Sequence, residues 1–165
     1  MRNVITLASA GLLTLLAGSP ALADPAGAGE PIALRKQSLS LAAARRIIAA
    51  TEAEAKARGV GVVTAVVDEA GHVIQVSRMD AAQLASVEVG IGKARTAAIY
   101  RRPSRVFEEQ IRDGRVAALA LAGSTPLQGG VPVLIDGVVV GAVGVSGDAP
   151  QVDEDIAVAG VNTLR

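Results

Sequence analysis

Two β-branched runs, Val131 to Ile135 and Val138 to Val145, are separated only by Asp136-Gly137. A two-residue loop of this composition closes a hairpin, because both positions accept the positive φ that such a turn requires. Strands joined this tightly are antiparallel. A second pair has the same character: Val62 to Val67 and Val73 to Arg78 flank the turn Asp68-Glu69-Ala70-Gly71-His72, where Gly71 supplies the positive φ. Nothing in the chain reads as a βαβ crossover unit.

Helical patterns surround the hairpins. From Leu41, the residues Ala44, Ile47, Ile48, Thr51 and Ala55 fall on one stripe, with Ser40 as the cap and Gly59 as the stop. A second helix is expected from Leu84 to Arg101, ended by Pro103, and a shorter one from Ser104 to near Gly114. Asp153-Glu154-Asp155 open a last helix to about Leu164, their charge suited to the helix dipole. Residues 115–130 are ambiguous, with Ala118 to Leu121 read as a short strand. The order helix, hairpin, two helices, hairpin, helix defines an α+β domain with one antiparallel sheet of four to five strands. Helices then cover both faces, or one face with an interface on the other.

Composition narrows what such a domain can do. There is no cysteine, which excludes disulfide staples, iron–sulfur clusters and thiolate zinc sites. Tyr100 and Phe107 are the only aromatic residues, so the core is built from Val, Ile, Leu and Ala. Small side chains bury little area each, and oligomerisation is a natural remedy for a small domain of this kind. Sixteen basic residues face sixteen acidic ones. That balance offers no field for a nucleic-acid backbone or an anionic membrane surface.

The N-terminal residues address location. Arg2, the apolar run Val4 to Ala17 and Ala21-Leu22-Ala23 make the three regions of a signal peptide, with cleavage expected after Ala23. The run is short for a membrane span, so no membrane insertion is expected. Residues 1–23 are therefore read as a signal, 24–37 as a flexible lead-in and 38–165 as the domain. The expected location is periplasmic or secreted.

Candidate chemistry concentrates on the second helix. Val87, Ile91, Ala94 and Ala98 share the face that should meet the sheet, while Val89, Lys93, Thr96 and Tyr100 lie roughly opposite. A cation, a hydroxyl and a phenol in line can border a pocket at a subunit interface; a solvated face explains the same pattern more simply. His72, the single histidine, can ligate a metal or haem, although turn chemistry accounts for it. Asp68 and Glu69 beside it make at most a small metal patch, and the acidic trio at 153–155 is explained by helix-start electrostatics. Gly90-Ile91-Gly92 lacks the third glycine of a dinucleotide fingerprint, and Gly141, Gly144 and Gly147 suggest close packing. No nucleophile-and-base constellation is present, so no catalytic residue is assigned.

Several segments in order carry a family likeness. They are Leu39-Ser40-Leu41-Ala42-Ala43-Ala44, Val66-Val67-Asp68-Glu69-Ala70-Gly71-His72-Val73, Ile91-Gly92-Lys93-Ala94-Arg95-Thr96-Ala97, Gly129-Gly130-Val131-Pro132-Val133, and Val140 to Gly147. The series resembles the GlcG/HbpS-like family, often labelled haem-binding or haem-degrading, across nearly all of residues 38–165. The resemblance implies a profilin-like fold and homo-oligomers from dimer to octamer. It also implies haem as the cofactor, a corrinoid being the less favoured tetrapyrrole, and a membrane sensor as a partner. In an exported relative the iron is thought to meet a threonine at the position of Thr96. Tyr100 is chemically the better ligand, and Lys93 or Arg95 can pair with the propionates. The leading reading is an exported protein that sequesters or buffers haem. An enzyme acting on haem or a small oxygenated metabolite, and a ligand-free interaction module, are the alternatives.

Overall fold

A computed structural model describes residues 32–165. The signal segment 1–23 and the first part of the lead-in, 24–31, lie outside the described residues. The chain divides into units Met1–Arg35 and Lys36–Arg165, and the second contains every element below.

Helix α1 spans Leu41–Arg58 and begins where expected, the Ser40 hydroxyl accepting the Ala43 N–H at 3.1 Å. Its stripe Ala44, Ile47, Ile48, Thr51 and Ala55 is buried throughout. Strands β1 (Val63–Asp68) and β2 (Val73–Arg78) form the first hairpin, β3 (Gly130–Ile135) and β4 (Val138–Ser146) the second. In the second turn Asp136 has φ 50° and Gly137 φ 77°, the two positive values anticipated for Asp-Gly. β1 pairs with β4, joining the hairpins into a four-stranded antiparallel sheet of order β2-β1-β4-β3.

Helices α2 (Ser86–Ile99), α3 (Arg105–Arg112) and α4 (Pro150–Asn162) complete the domain. Three sequence expectations need correction. Ala118 to Leu121 form no strand: Val116–Ala120 is a 3₁₀ turn in which the Ala118 N–H reaches the Arg115 carbonyl at 3.1 Å. An alanine run has little branched surface to pair on a sheet and closes on itself instead. Helix α2 is shorter than 84–101, since Arg101 already has φ 54° ahead of Pro103. Helix α4 begins at Pro150, a residue preorganised for the first helical position, and not at Asp153.

The two sheet faces are built differently. On one, Val66, Val143 and Val145 pack with Ile47 and Ile48 of α1 and Ile156 and Val161 of α4. On the other, Ala65, Val67 and Ala142 meet Ala94, Ala97 and Ala98 of α2. Small side chains there let the α2 backbone lie almost on the sheet. A Cβ at Gly144 would stand 2.5 Å from the Ala94 nitrogen, and one at Gly130 would stand 2.7 Å from the Lys93 carbonyl carbon. These glycines set the depth at which Lys93 and Thr96 sit.

Candidate functional site

The α2 residues expected on the side away from the sheet are not a solvated face, and Lys93 lies against β3 and β4. Lys93 is 3% exposed, and its ammonium donates to Asp153 Oδ2 at 2.8 Å and to the Val145 carbonyl at 3.0 Å. Asp153 is 1% exposed and also accepts the Asp148 N–H at 3.0 Å. Burial pushes the Asp153 carboxyl above its ordinary range, against the downward pull of Lys93. The pair links α2 on one side of the sheet to the first turn of α4 on the other. Helix-start electrostatics therefore do not account for Asp153. It occupies the stripe of Ile156, Ala157 and Gly160, all buried. A carboxylate on an apolar stripe demands a cation, and that spacing was the available signal.

Next along α2, Thr96 is fully buried. Its hydroxyl donates to the Gly92 carbonyl at 2.8 Å and accepts the Thr125 N–H at 2.7 Å. Tyr100 is half-buried and donates to the Ala122 carbonyl at 2.8 Å. Ser104 stands at the start of α3 but does not cap it. Its hydroxyl donates to the Leu127 carbonyl at 2.5 Å and accepts the Gly130 N–H at 2.8 Å. Glu108 accepts the Gln128 N–H. Four side chains of α2, its end and α3 thus strap residues 122–130 across the helix pair. Thr96 and Tyr100 lie beneath this strap with their hydroxyl protons already placed.

Arg95 points elsewhere. It is exposed, makes no ion pair among the described residues, and its Nε approaches the Gly71 carbonyl at 3.4 Å. It therefore stands beside the β1–β2 turn that carries His72. There Asp68 Oδ1 accepts the N–H groups of Ala70 at 2.9 Å and His72 at 2.8 Å, while Oδ2 lies 3.4 Å from His72 Nδ1. The His72 side chain is 78% exposed. Of the four sequence candidates on α2, Lys93 and Thr96 are enclosed, Tyr100 edges the strap, and Arg95 alone faces solvent.

Among the described residues no three His, Asp or Glu side chains are grouped to hold a metal ion, so neither 68–72 nor 153–155 is a metal cluster. Beside Asp153, Glu154 pairs with Arg105 at 2.9 Å and keeps its Oε2 buried without a partner among the described residues. Burial pushes this carboxyl up as well. An open cleft of about 500 Å³ between α1 and the end of β2 is lined by Glu52, Lys56, Arg78 and Asp80, and shares no residue with α2. No described helix is long and apolar enough to cross a membrane.

Residues 39–162 match the family model described as haem degrading protein HbpS-like. The chain belongs to this family. The protein GlcG of Escherichia coli K12 is 43% identical over 111 residues, covering 67% of this chain and 83% of GlcG. A double mutant of HbpS from Streptomyces reticuli superposes with a TM-score of 0.73 at 30% identity, covering 84% of this chain and 99% of that one. A PduOC:heme complex superposes with a TM-score of 0.69 at 26% identity, covering 76% and 94%. The four-stranded antiparallel sheet with its helices is thus the fold of the HbpS-like relatives.

Proposed function

We propose that this protein captures haem and holds it, as a sequestering or buffering protein. The observation that carries the reading is the family match over residues 39–162, joined to a structural relative described in complex with heme. The described residues supply what capture needs. Arg95 makes no ion pair among the described residues and can meet a propionate, His72 is an accessible imidazole, and Ile99 offers apolar surface beside Arg95. Lys93, committed to Asp153, contributes to the architecture of α2 and not to a propionate. Thr96 and Tyr100 reach an iron only when the strap at 122–130 lifts, because their hydroxyls hold it down.

The test is a titration of the purified protein with haemin, followed by absorbance, beside Thr96→Ala and Tyr100→Ala. Saturable one-to-one binding is the expected result; no Soret shift at any ratio would sink the reading. Weakening by either substitution assigns the iron to the α2 stripe. The family description as haem degrading supports a second reading, breakdown of the bound porphyrin. Under a supplied reductant and oxygen, bleaching of the Soret band at one turnover or more would favour it.

Three finer parts of the proposal have their own support. Export rests on the pattern at residues 2–23, and secreted protein should begin at Asp24. Self-assembly rests on the small core and on exposed Leu134, Ile135 and Val138. A sensor partner rests on the family resemblance alone, and crosslinking with and without haemin is its test.

A further inference from the structure

The β1–β2 turn is built more rigidly than connecting two strands demands. Asp68 receives two backbone N–H groups on Oδ1, and the Asp68 N–H closes the turn on the His72 carbonyl at 2.9 Å. Gly71, at φ 84°, is buried against α2, where a Cβ would stand 2.9 Å from Arg95 Cγ and 3.1 Å from Ile99 Cγ2. The next residue, His72, is thrown outward with its side chain 78% exposed. A hydrogen-bonded turn thus presents a solvent-facing imidazole.

The ring also has a carboxylate at hand: Asp68 Oδ2 lies 3.4 Å from Nδ1, at ion-pair distance, and no hydrogen bond to the ring occurs among the described residues. A carboxylate at Nδ1 favours the tautomer with the proton there and leaves the Nε2 lone pair outward. Metal-binding imidazoles commonly have a carboxylate at the nitrogen that does not bind the metal. Beside the turn stand Arg95, whose Nε approaches the Gly71 carbonyl at 3.4 Å and which makes no ion pair among the described residues, Ile99, which packs toward Gly71 and is 38% exposed, and the next residue in the chain, Val73, 47% exposed. An outward nitrogen, an apolar ledge and a cation are the three things a haem edge requires from a surface: an axial ligand, contact for the porphyrin and a propionate partner.

We infer that His72 Nε2 is the axial ligand to haem iron, with Asp68 as its positioning residue and Arg95 as the propionate partner. The inference rests on the haem-capture reading and names the ligand within it. It needs no movement of the strap over Thr96, whereas ligation by Thr96 or Tyr100 does. Since His72 is the only histidine, one substitution removes all imidazole from the chain.

The experiment is a haemin titration of the full chain, made without a histidine tag, with ferric and ferrous spectra recorded by absorbance and resonance Raman. The native protein is expected to show an iron–imidazole signature at one haem per chain. His72→Ala should weaken binding at least tenfold and lose that signature, and added free imidazole should restore it. Asp68→Asn keeps the acceptor for the turn but removes the anion at Nδ1; its haem should bind several-fold more weakly and show a higher reduction potential. Arg95→Ala should weaken binding while leaving the iron–imidazole signature intact. Native binding with an unchanged spectrum and affinity in His72→Ala overturns the assignment and leaves haem capture standing. No binding by the native chain overturns both.

Discussion

Lys93 and Asp153 show how much depends on a pair of residues. Both charges are out of water, and among the described residues the ammonium has only the Asp153 carboxylate and the Val145 carbonyl in place of its hydration. Removing one partner leaves the other buried and uncompensated, which costs roughly 3–5 kcal/mol. Lys93→Ala and Asp153→Ala should each lower unfolding free energy by that amount in urea titrations. The double variant Lys93→Met/Asp153→Leu should recover most of it, because apolar neighbours replace both charges. Glu154 makes a separate, pH-dependent point. Burial raises its carboxyl despite Arg105, so the unfolded chain releases this proton at lower pH than the folded chain. Below the unfolded value the group contributes fully; as pH rises through the folded value that contribution is lost. Glu154→Gln removes the titration. The native protein should therefore lose stability relative to this variant as pH rises through and above the ordinary carboxylate range, and parallel curves would refute the link.

At the scale of elements, α2 is an unusual helix for its burial. It carries Gly90, Gly92 and three alanines, and its contact with the sheet runs over Ala65, Ala142 and Gly144. Close approach of two backbones replaces the bulky side chains that most helix–sheet layers use, and the near absence of aromatics follows from it. A methyl at Gly144 cannot enter without moving Ala94. Gly144→Ala should cost about 1–3 kcal/mol and shift the α2 amide resonances. The same displacement would carry Thr96 and the strap outward, so faster amide exchange at Thr125 and Gly130 is expected with it. An unchanged exchange pattern would mean that α2 rides on the sheet more loosely than its packing indicates.

For the whole molecule, the open sheet leaves β2 and β3 as its edges, and the β3–β4 hairpin exposes Leu134 (51%), Ile135 (37%) and Val138 (53%). Exposed apolar edges are covered in stable proteins or invite association. Self-assembly through this hairpin predicts that Leu134→Lys lowers the sedimenting mass without unfolding the domain. An unaltered mass moves the contact to another surface.

Much of the architecture was decided close along the chain. Ser40, the stripe of α1 and Gly59 define that helix, and Asp136-Gly137 defines the second hairpin, because capping, periodicity and turn conformation act over a few residues. The antiparallel sheet follows from two such hairpins. The chemistry was less legible. Lys93 and Thr96 read as a wet helix face because helical periodicity separates two sides of α2 without saying what covers each one. Residues 122–130 cover that side, held by Thr96, Tyr100, Ser104 and Glu108. Lys93 is matched by Asp153, 60 positions away. Burial of a charge, like the docking of Arg95 against the turn that presents His72, depends on segments distant in sequence. Only the folded chain brings them within hydrogen-bond reach.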